Sequence, residues 1–300
     1  MAGTPQVAVC VPVAASSDPL TQLLAAIRRQ SWPADLLRVV ISLDGPNDEL
    51  AESARSSGAD VVVSDPAAGP AHARNVAIDR ASEAQIIVFT DADCVPHPDW
   101  IRNHVRALDD ADMSGGAVTV RLSADRAPAE YLDRRRHLRQ ENYVRYEGFA
   151  ATANLAVRQE VARLHFDEHL TLAADEDVDF CHRARAAGYS LVYTPDALVD
   201  HPARNRREFI AKIRRMSSAI RLRAARDVLL PTARLPSIRL LVGTIRAARR
   251  QGESRGVAWD LELAALVAFT ELTIWRAVRH ARRAREKLAR GQVDRKSTND

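Results

Sequence analysis

Ile86-Ile87-Val88-Phe89-Thr90-Asp91-Ala92-Asp93 is the stretch that decides the fold. Its first five residues are all β-branched or aromatic, with no apolar–polar alternation. A strand buried on both faces of a parallel sheet reads this way. Two carboxylates one residue apart follow immediately. In open α/β sheets ligands bind beyond the carboxyl ends of the strands, so Asp91 and Asp93 are expected where a ligand would sit.

Upstream, Val7–Val13, Arg38–Asp44 and Asp60–Ser64 are similar near-continuous apolar runs. Between them lie stretches of helical length and periodicity at Pro19–Arg29, Asp48–Ser57 and Pro70–Ala81. Asp18-Pro19 and Gly69-Pro70 are helix starts, with proline at the first helical position. Strand–helix repetition of this kind predicts right-handed crossovers and a doubly wound, mostly parallel sheet flanked by helices. Downstream, Met113–Leu122 reads as a strand, Ala127–Gln140 as a basic helix and Tyr143–Ala153 as a loop. Glu176–Ala187 reads as a helix stopped by Gly188, and Leu191–Tyr193 as a last strand. From Arg204 onward the pattern is helical and rich in arginine. The expected division is therefore 1–203, with halves near 7–110 and 111–203, followed by a basic α-helical extension over 204–300. Met1–Pro5 and Gly291–Asp300 look too polar or too short to pack.

Charge supports the division. Residues 204–300 hold 24 Lys+Arg and 9 Asp+Glu, whereas 1–203 hold 19 and 30, so a net +15 follows a net −11. An acidic front part repels phosphate backbones, which argues against nucleic-acid binding, and it suits a divalent cation. Cys10, Cys94 and Cys181 have no disulfide or zinc-site spacing, so a reducing, cytoplasmic setting is expected. Val7–Val13 is too short for a signal peptide and is interrupted by Pro12. Gly256–Val278 is apolar but carries Asp260, Glu262, Glu271 and Arg276, whereas a bilayer span needs about 20 largely uncharged residues. These basic helices are expected to rest on the inner face of an anionic membrane, to pack on the first domain, or to meet a second subunit in a homodimer.

Four elements carry chemistry. D-x-D alone is a common pattern, but at a strand end Asp91 and Asp93 can converge on Mg²⁺ or Mn²⁺, which prefer oxygen ligands and keep sites for substrate phosphates. Asp175-Glu176-Asp177-Val178-Asp179 opens a helix, where the dipole favours anions and one acid can cap. Four acids exceed what a cap requires, and Asp177 is assigned as a general base for a hydroxyl. In Gly69-Pro70-Ala71-His72-Ala73-Arg74-Asn75, a glycine turn enters a helix with Arg74 one turn in, suited to a diphosphate. His201, after the last strand, can complete a metal site as neutral imidazole.

In order along the chain, these pieces resemble family 2 glycosyltransferases of the GT-A fold. The likeness runs from about Val7 to His201. It comprises Val11-Pro12-Val13, Asp44-Gly45, Ala73-Arg74-Asn75, Asp91-Ala92-Asp93, Asn154-Leu155-Ala156, and Glu176-Asp177-Val178-Asp179-Phe180 with Arg183 and Gly188-Tyr189. The resemblance implies a nucleotide-diphosphate sugar donor. Pro12, Val13 and Asp44 would lie at the base and ribose, Arg74 at the diphosphate, and Asp91, Ala92 and Asp93 at the donor and its Mg²⁺ or Mn²⁺, with His201 as a further ligand. Asn154 and Glu176 would lie on the acceptor side, and Asp177 would deprotonate the acceptor hydroxyl for an inverting displacement. That acceptor is a sugar, a lipid-linked molecule or a small molecule in glycan, cell-envelope, glycolipid or natural-product synthesis. Leu43 stands where many relatives carry a second aspartate. Gln-x-x-Arg-Trp is absent after Asp177, which implies non-processive transfer. The rival readings are a sugar nucleotidyltransferase, whose glycine-rich signature Val13–Pro19 lacks, and a catalytically decayed scaffold, against which both acidic clusters argue.

Overall fold

The computed structural model describes residues 3–14, 20–170, 175–222, 233 and 235–297, the side chains of 222 and 288–297 excepted. In chain order the elements are β1 (Val7–Ala14), α1 (Leu20–Ile27), a 3₁₀ turn (Ala34–Leu36), β2 (Leu37–Asp44), α2 (Asp48–Ser56), β3 (Asp60–Ser64), α3 (Pro70–Arg80), β4 (Ile86–Thr90), β5 (Val95–Pro96), α4 (Trp100–Ala107) and β6 (Met113–Arg121). There follow α5 (Pro128–Arg136), α6 (Gln140–Asn142) with a π-helical turn (Tyr143–Glu147), β7 (Asn154–Arg158), α7 (Gln159–Ala162), α8 (Glu176–Ala186), β8 (Leu191–Pro202), α9 (Arg206–Leu222), α10 (Ile238–Arg250) and α11 (Val257–Ser297). The helix start expected at Asp18-Pro19 lies outside the described residues. Contacts divide the chain into two units, Met1–Arg121 with Arg136–Pro202, and Leu122–Arg135 with Ala203–Asp300.

The first unit is built on a mixed sheet in the order β3-β2-β1-β4-β7-β6-β8-β5. β1 pairs in parallel with β2 and β4, β2 with β3, and β6 with β8; β7 runs antiparallel to β4 and β6, and β5 to β8. Strand alternation loads both faces. Val7, Val9, Val11, Val13, Ile86 and Val88 join one core with Leu23, Ala51 and Trp100 of α1, α2 and α4. Ala8, Cys10, Ile87 and Phe89 join the other with Ile78 and Phe180 of α3 and α8. All three cysteines are buried free thiols.

After β1 the chain moves through β2 to β3, then returns to the far side of β1 to place β4. The order therefore reverses between β1 and β4. Such a switch point opens a crevice at the strand ends. Pro12 to Ala14 and Thr90-Asp91 border it.

Three features depart from the expectations. β7 falls immediately after the expected loop, because Asn154–Arg158 is too short to show a period and its antiparallel pairing is entirely long-range. α4 was not anticipated. β8 extends nine residues beyond Tyr193, through Pro195 and Asp196, which read locally as breakers. The pairing moves from Gly116↔Thr194 directly to Ala117↔Leu198, so Pro195-Asp196-Ala197 bulges out and the ladder resumes. At the C-terminus, α11 runs as helix through 291–297, within the stretch read from sequence as too polar to pack.

In the second unit, Tyr131 and Leu132 of α5 pack with Phe209, Ile213, Ala248, Trp259, Leu263 and Leu266. Trp259 donates its ring N–H to the Arg126 carbonyl at 3.0 Å. Asp133, fully buried, accepts from the Arg204 backbone and guanidinium at 2.9 and 3.1 Å. Among the described residues, no helix is long and apolar enough to cross a membrane.

Candidate active site

β4 carries Asp91 out of the sheet, and the Cys94 N–H closes a turn on the Asp91 carbonyl at 3.1 Å. Ala92 turns into the core, so the flanking Asp91 and Asp93 face outward, each about one-third exposed. β5, starting two residues after Asp93, pairs antiparallel with the end of β8, Val95 opposite Asp200. This register brings the next residue, His201, back towards Asp93. Asp91, Asp93 and His201 each offer a ligand atom, all lying within 4.8 Å of one another.

The hydrogen bonding of His201 fixes its tautomer. Nδ1 lies 2.6 Å from the Pro202 carbonyl, which only accepts, so Nδ1 carries the proton in the neutral ring. The Nε2 lone pair is then directed to the acidic side, 3.6 Å from Asp93 Oδ1. A ring N–H given to a backbone carbonyl is the usual outer partner of a metal-binding histidine. Two carboxylates and an oriented imidazole fit a divalent cation, and this donor set lies at the sheet's switch point.

Arg74 links this cluster to the second acidic knot. Its guanidinium is 3.5 Å from Asp91 Oδ1 and 3.0 Å from Glu176 Oε1. Arg74 and Glu176 are both nearly inaccessible to solvent. The guanidinium lies over the Phe166 ring, 5.6 Å from its centroid. The acidic clusters therefore meet across a buried cation supplied by the chain itself.

Asp177 follows Glu176 in the first turn of α8, half-buried, with Oδ1 accepting from the Val178 N–H at 2.8 Å. Asp175 occupies the N-cap in the left-handed region, φ 80°, and its side chain makes no capping hydrogen bond, unlike the cap expected there. Asp179 is held by Arg183 at 2.8 Å, and Arg183 also donates to the Leu164 and His165 carbonyls. Tyr143 is pushed up to about 12, first by burial and then, in part, by the charges of Glu147 and Asp177. Burial, with Asp91 and Asp93 nearby, raises the Cys94 thiol well above its ordinary range, so it stays protonated.

Sequence reasoning missed the Leu164–Glu168 loop that supports this arrangement. Asn75 donates to the Phe166 carbonyl at 2.9 Å and accepts from its N–H at 2.7 Å. Asn75 and His72 hold Glu168 at 2.8 and 2.9 Å and lower its pKa. Phe166 stacks on Phe180 and meets Phe89 edge-on. Ala73-Arg74-Asn75 thus serves both the charge bridge and the loop that shapes it. No local motif in 164–168 announces this role.

The remaining candidates are placed differently. Pro12 is half-buried at the end of β1, while Val13 is in the core. Asp44 accepts from the Ala68 and Gly69 N–H groups at 2.7 and 3.1 Å, which steers the chain into α3. Asn154 requires a correction. Expected on the acceptor side, it is fully buried, with both ends of its amide engaged. Oδ1 accepts from the Trp100 ring N–H at 2.7 Å and from His104 Nε2 at 2.8 Å; Nδ2 donates to the Ala117 and Ala197 carbonyls at 2.7 and 2.8 Å. A side chain with no surface and no spare donor positions β6, β7 and β8 rather than touching an acceptor. The packing also dictates Gly116, where an added Cβ would lie 2.4 Å from Asn154 Nδ2 and 2.3 Å from the Ala197 carbonyl oxygen.

Comparison with known proteins gives this architecture a context. Residues 8–164 match the family model described as glycosyl transferase family 2. Glycosyltransferase AglE of Haloferax volcanii is 30% identical over 217 residues, 69% of this chain and 70% of that protein. Among solved structures, the mannosyltransferase PcManGT from Pyrobaculum calidifontis, in complex with GDP-Man and Mn²⁺, superposes with a TM-score of 0.55. Its identity is 21%, and the match covers 93% of this chain and 74% of that one. S. aureus TarS 1–349 gives a TM-score of 0.52 at 17% identity, covering 95% and 92%. Fold and likeness define the class, an enzyme of glycosyl transfer on a GT-A-like mixed sheet. The chain belongs to glycosyl transferase family 2.

Proposed function

We propose that this enzyme transfers a single sugar from a nucleotide-diphosphate donor to a hydroxyl acceptor, with inversion and without processive elongation. One observation carries the reading: Arg74 joins Asp91 of the Asp91–Asp93–His201 cluster to Glu176, beside Asp177. Donor-binding and proton-accepting carboxylates then share one crevice. Asp91, Asp93 and His201 would hold Mn²⁺ or Mg²⁺, and the imidazole favours Mn²⁺ over the harder Mg²⁺. When bound, that cation supplies positive charge against the departing diphosphate.

The chain's own groups do the rest. Pro12 and the β1–β4 crevice receive the nucleoside, and Asp44 orders the loop that leads into α3. Arg74 contacts both Asp91 and Glu176, so its positive charge offsets the repulsion between the two carboxylates. Asp177 accepts the acceptor's hydroxyl proton while the oxygen bonds to the anomeric carbon. The bond from that carbon to the diphosphate oxygen breaks in the same step, so configuration inverts. An ionised carboxylate is already the base, and no raised pKa is needed. The acceptor is a sugar, a lipid-linked molecule or a small hydroxyl compound of glycan or envelope synthesis. Three buried free thiols suit a cytoplasmic setting.

A thermal-shift screen of nucleoside diphosphates and their sugars, with Mn²⁺, tests the reading, because a ligand of the folded state raises apparent stability by mass action. The expected result is a Mn²⁺-dependent shift for one nucleotide that His201→Ala removes. Shifts independent of metal, or unchanged in that variant, would overturn the site assignment.

A further inference from the structure

α10 turns two sides to different surroundings. Leu241, Ile245 and Ala248 pack into the core of the second unit. At 100° per residue, Arg239, Gly243, Arg246 and Arg250 lie along the opposite side, and all four are exposed. The helix contains no acidic residue. Among the described residues, no ion pair engages Arg239, Arg246 or Arg250, whereas Arg249, off this line, is taken by Asp260 at 2.6 Å. Exposed aliphatic groups border the arginines: Ile238 is 80% accessible, and Val242, Leu240 and the preceding Leu235 are exposed as well.

A row of arginines would be satisfied by water alone. Large aliphatic side chains beside it are not, since burying a leucine- or isoleucine-sized group is worth about 1.5–3 kcal/mol. Phosphate above and hydrocarbon below meet both demands in one place, the headgroup boundary of an anionic bilayer. Nucleic acid supplies only the phosphate, and single-strand binders stack bases on aromatic rings, which α10 lacks. With 13 residues the helix is about 20 Å long, enough to lie on a bilayer and too short to cross it.

We propose that α10 is a membrane-docking helix. Arg239, Arg246 and Arg250 contact the phosphates of anionic lipid, and Ile238 and Val242 insert at the acyl boundary. The enzyme then works at a lipid surface, which favours an acceptor presented from that surface.

Flotation of the full-length protein with phosphatidylcholine vesicles, with and without roughly a third phosphatidylglycerol, tests this. Binding is expected only with phosphatidylglycerol, weakening steeply with salt. Replacing the three arginines together with glutamate should lower the partition coefficient at least about a hundredfold, and Ile238→Ser with Val242→Ser about tenfold. A second readout does not depend on comparing variants. The native cysteines are buried, so an environment-sensitive dye on Ile238→Cys reports that position alone, with Ser53→Cys in α2 as the control. A blue shift at 238 and none at 53 is expected on anionic vesicles. No binding at low salt, undiminished binding by the arginine variant, or equal shifts at both labels would overturn the proposal. So would capture by polyanions such as heparin without vesicle binding.

Discussion

Replacing Arg74 with methionine probes the link between the two acidic clusters. Methionine keeps most of the side-chain volume over Phe166 and deletes the charge together with the N–H donors that reach Glu176. At 3.0 Å from Glu176 Oε1 and 3.5 Å from Asp91 Oδ1, the guanidinium interacts with each carboxylate by roughly 5 kcal/mol at an effective dielectric of 20. Part of this repays the cost of burying Arg74 and Glu176, so the net loss is smaller. Breaking one side of a buried pair costs about 3–5 kcal/mol. For a chain of this size that lowers Tm by roughly 10 °C. Adding Glu176→Gln should restore at least half of the loss, because no buried charge is then stranded. The Arg74→Met variant should also bind Mn²⁺ more tightly in the absence of donor, since the positive charge beside Asp91 is gone. Calorimetric melting of wild type, both single variants and the double variant measures the coupling, and titration with Mn²⁺ measures the second effect. A loss below about 1 kcal/mol, or no recovery in the double variant, would show that the bridge does not hold the clusters together.

Asp177→Asn should reduce turnover by about 10²–10⁴ with donor affinity unchanged, as read by single-turnover rates and donor titration; near-normal turnover would remove Asp177 as the base. His201→Ala should raise the Mn²⁺ concentration for half-activity by at least about tenfold, and an unchanged requirement would remove His201 from the site. Asn154→Ala strands two N–H donors and two carbonyls, so stability should fall by about 4 kcal/mol. In that variant the catalytic constants at low temperature should be far less affected than melting. Burial pushes His104 down to about 4 from its ordinary 6.5, so it folds neutral. The unfolded chain takes up a proton between those values and the folded chain does not. Stability is therefore fully present above pH 6.5 and falls by about 3 kcal/mol as pH drops to 4. His104→Gln should flatten that part of the melting profile, and an unaltered profile would contradict the assignment.

The His104 network also shows what tertiary packing adds. Asn154 Oδ1 can only accept, so His104 Nε2 must donate to it, and Nδ1 is left to accept from Ser114 at 2.8 Å. Ser114 in turn accepts from Thr194 at 2.7 Å. These residues come from α4, β6, β7 and β8, and their separations in sequence hide the relay completely.

By itself the sequence determined the strands β1 to β4 and the acids at their ends. Ile86–Phe89 is apolar throughout because both faces of the strand are covered, and that constraint is local enough to read from one window. Asp91, Asp93, Arg74 and Glu176 were identifiable because each stands beside a strand end or a helix start, where sequence pattern and position coincide. Only the tertiary structure decided how they combine. The pairing of Val95 with Asp200 brings His201 to Asp93 across more than a hundred residues. The fold of the 164–168 loop seats Arg74 between the two acidic clusters. Burial turned Asn154 from a supposed acceptor contact into the fastener of three strands. Register and burial depend on residues distant in the chain, and no window of sequence contains them.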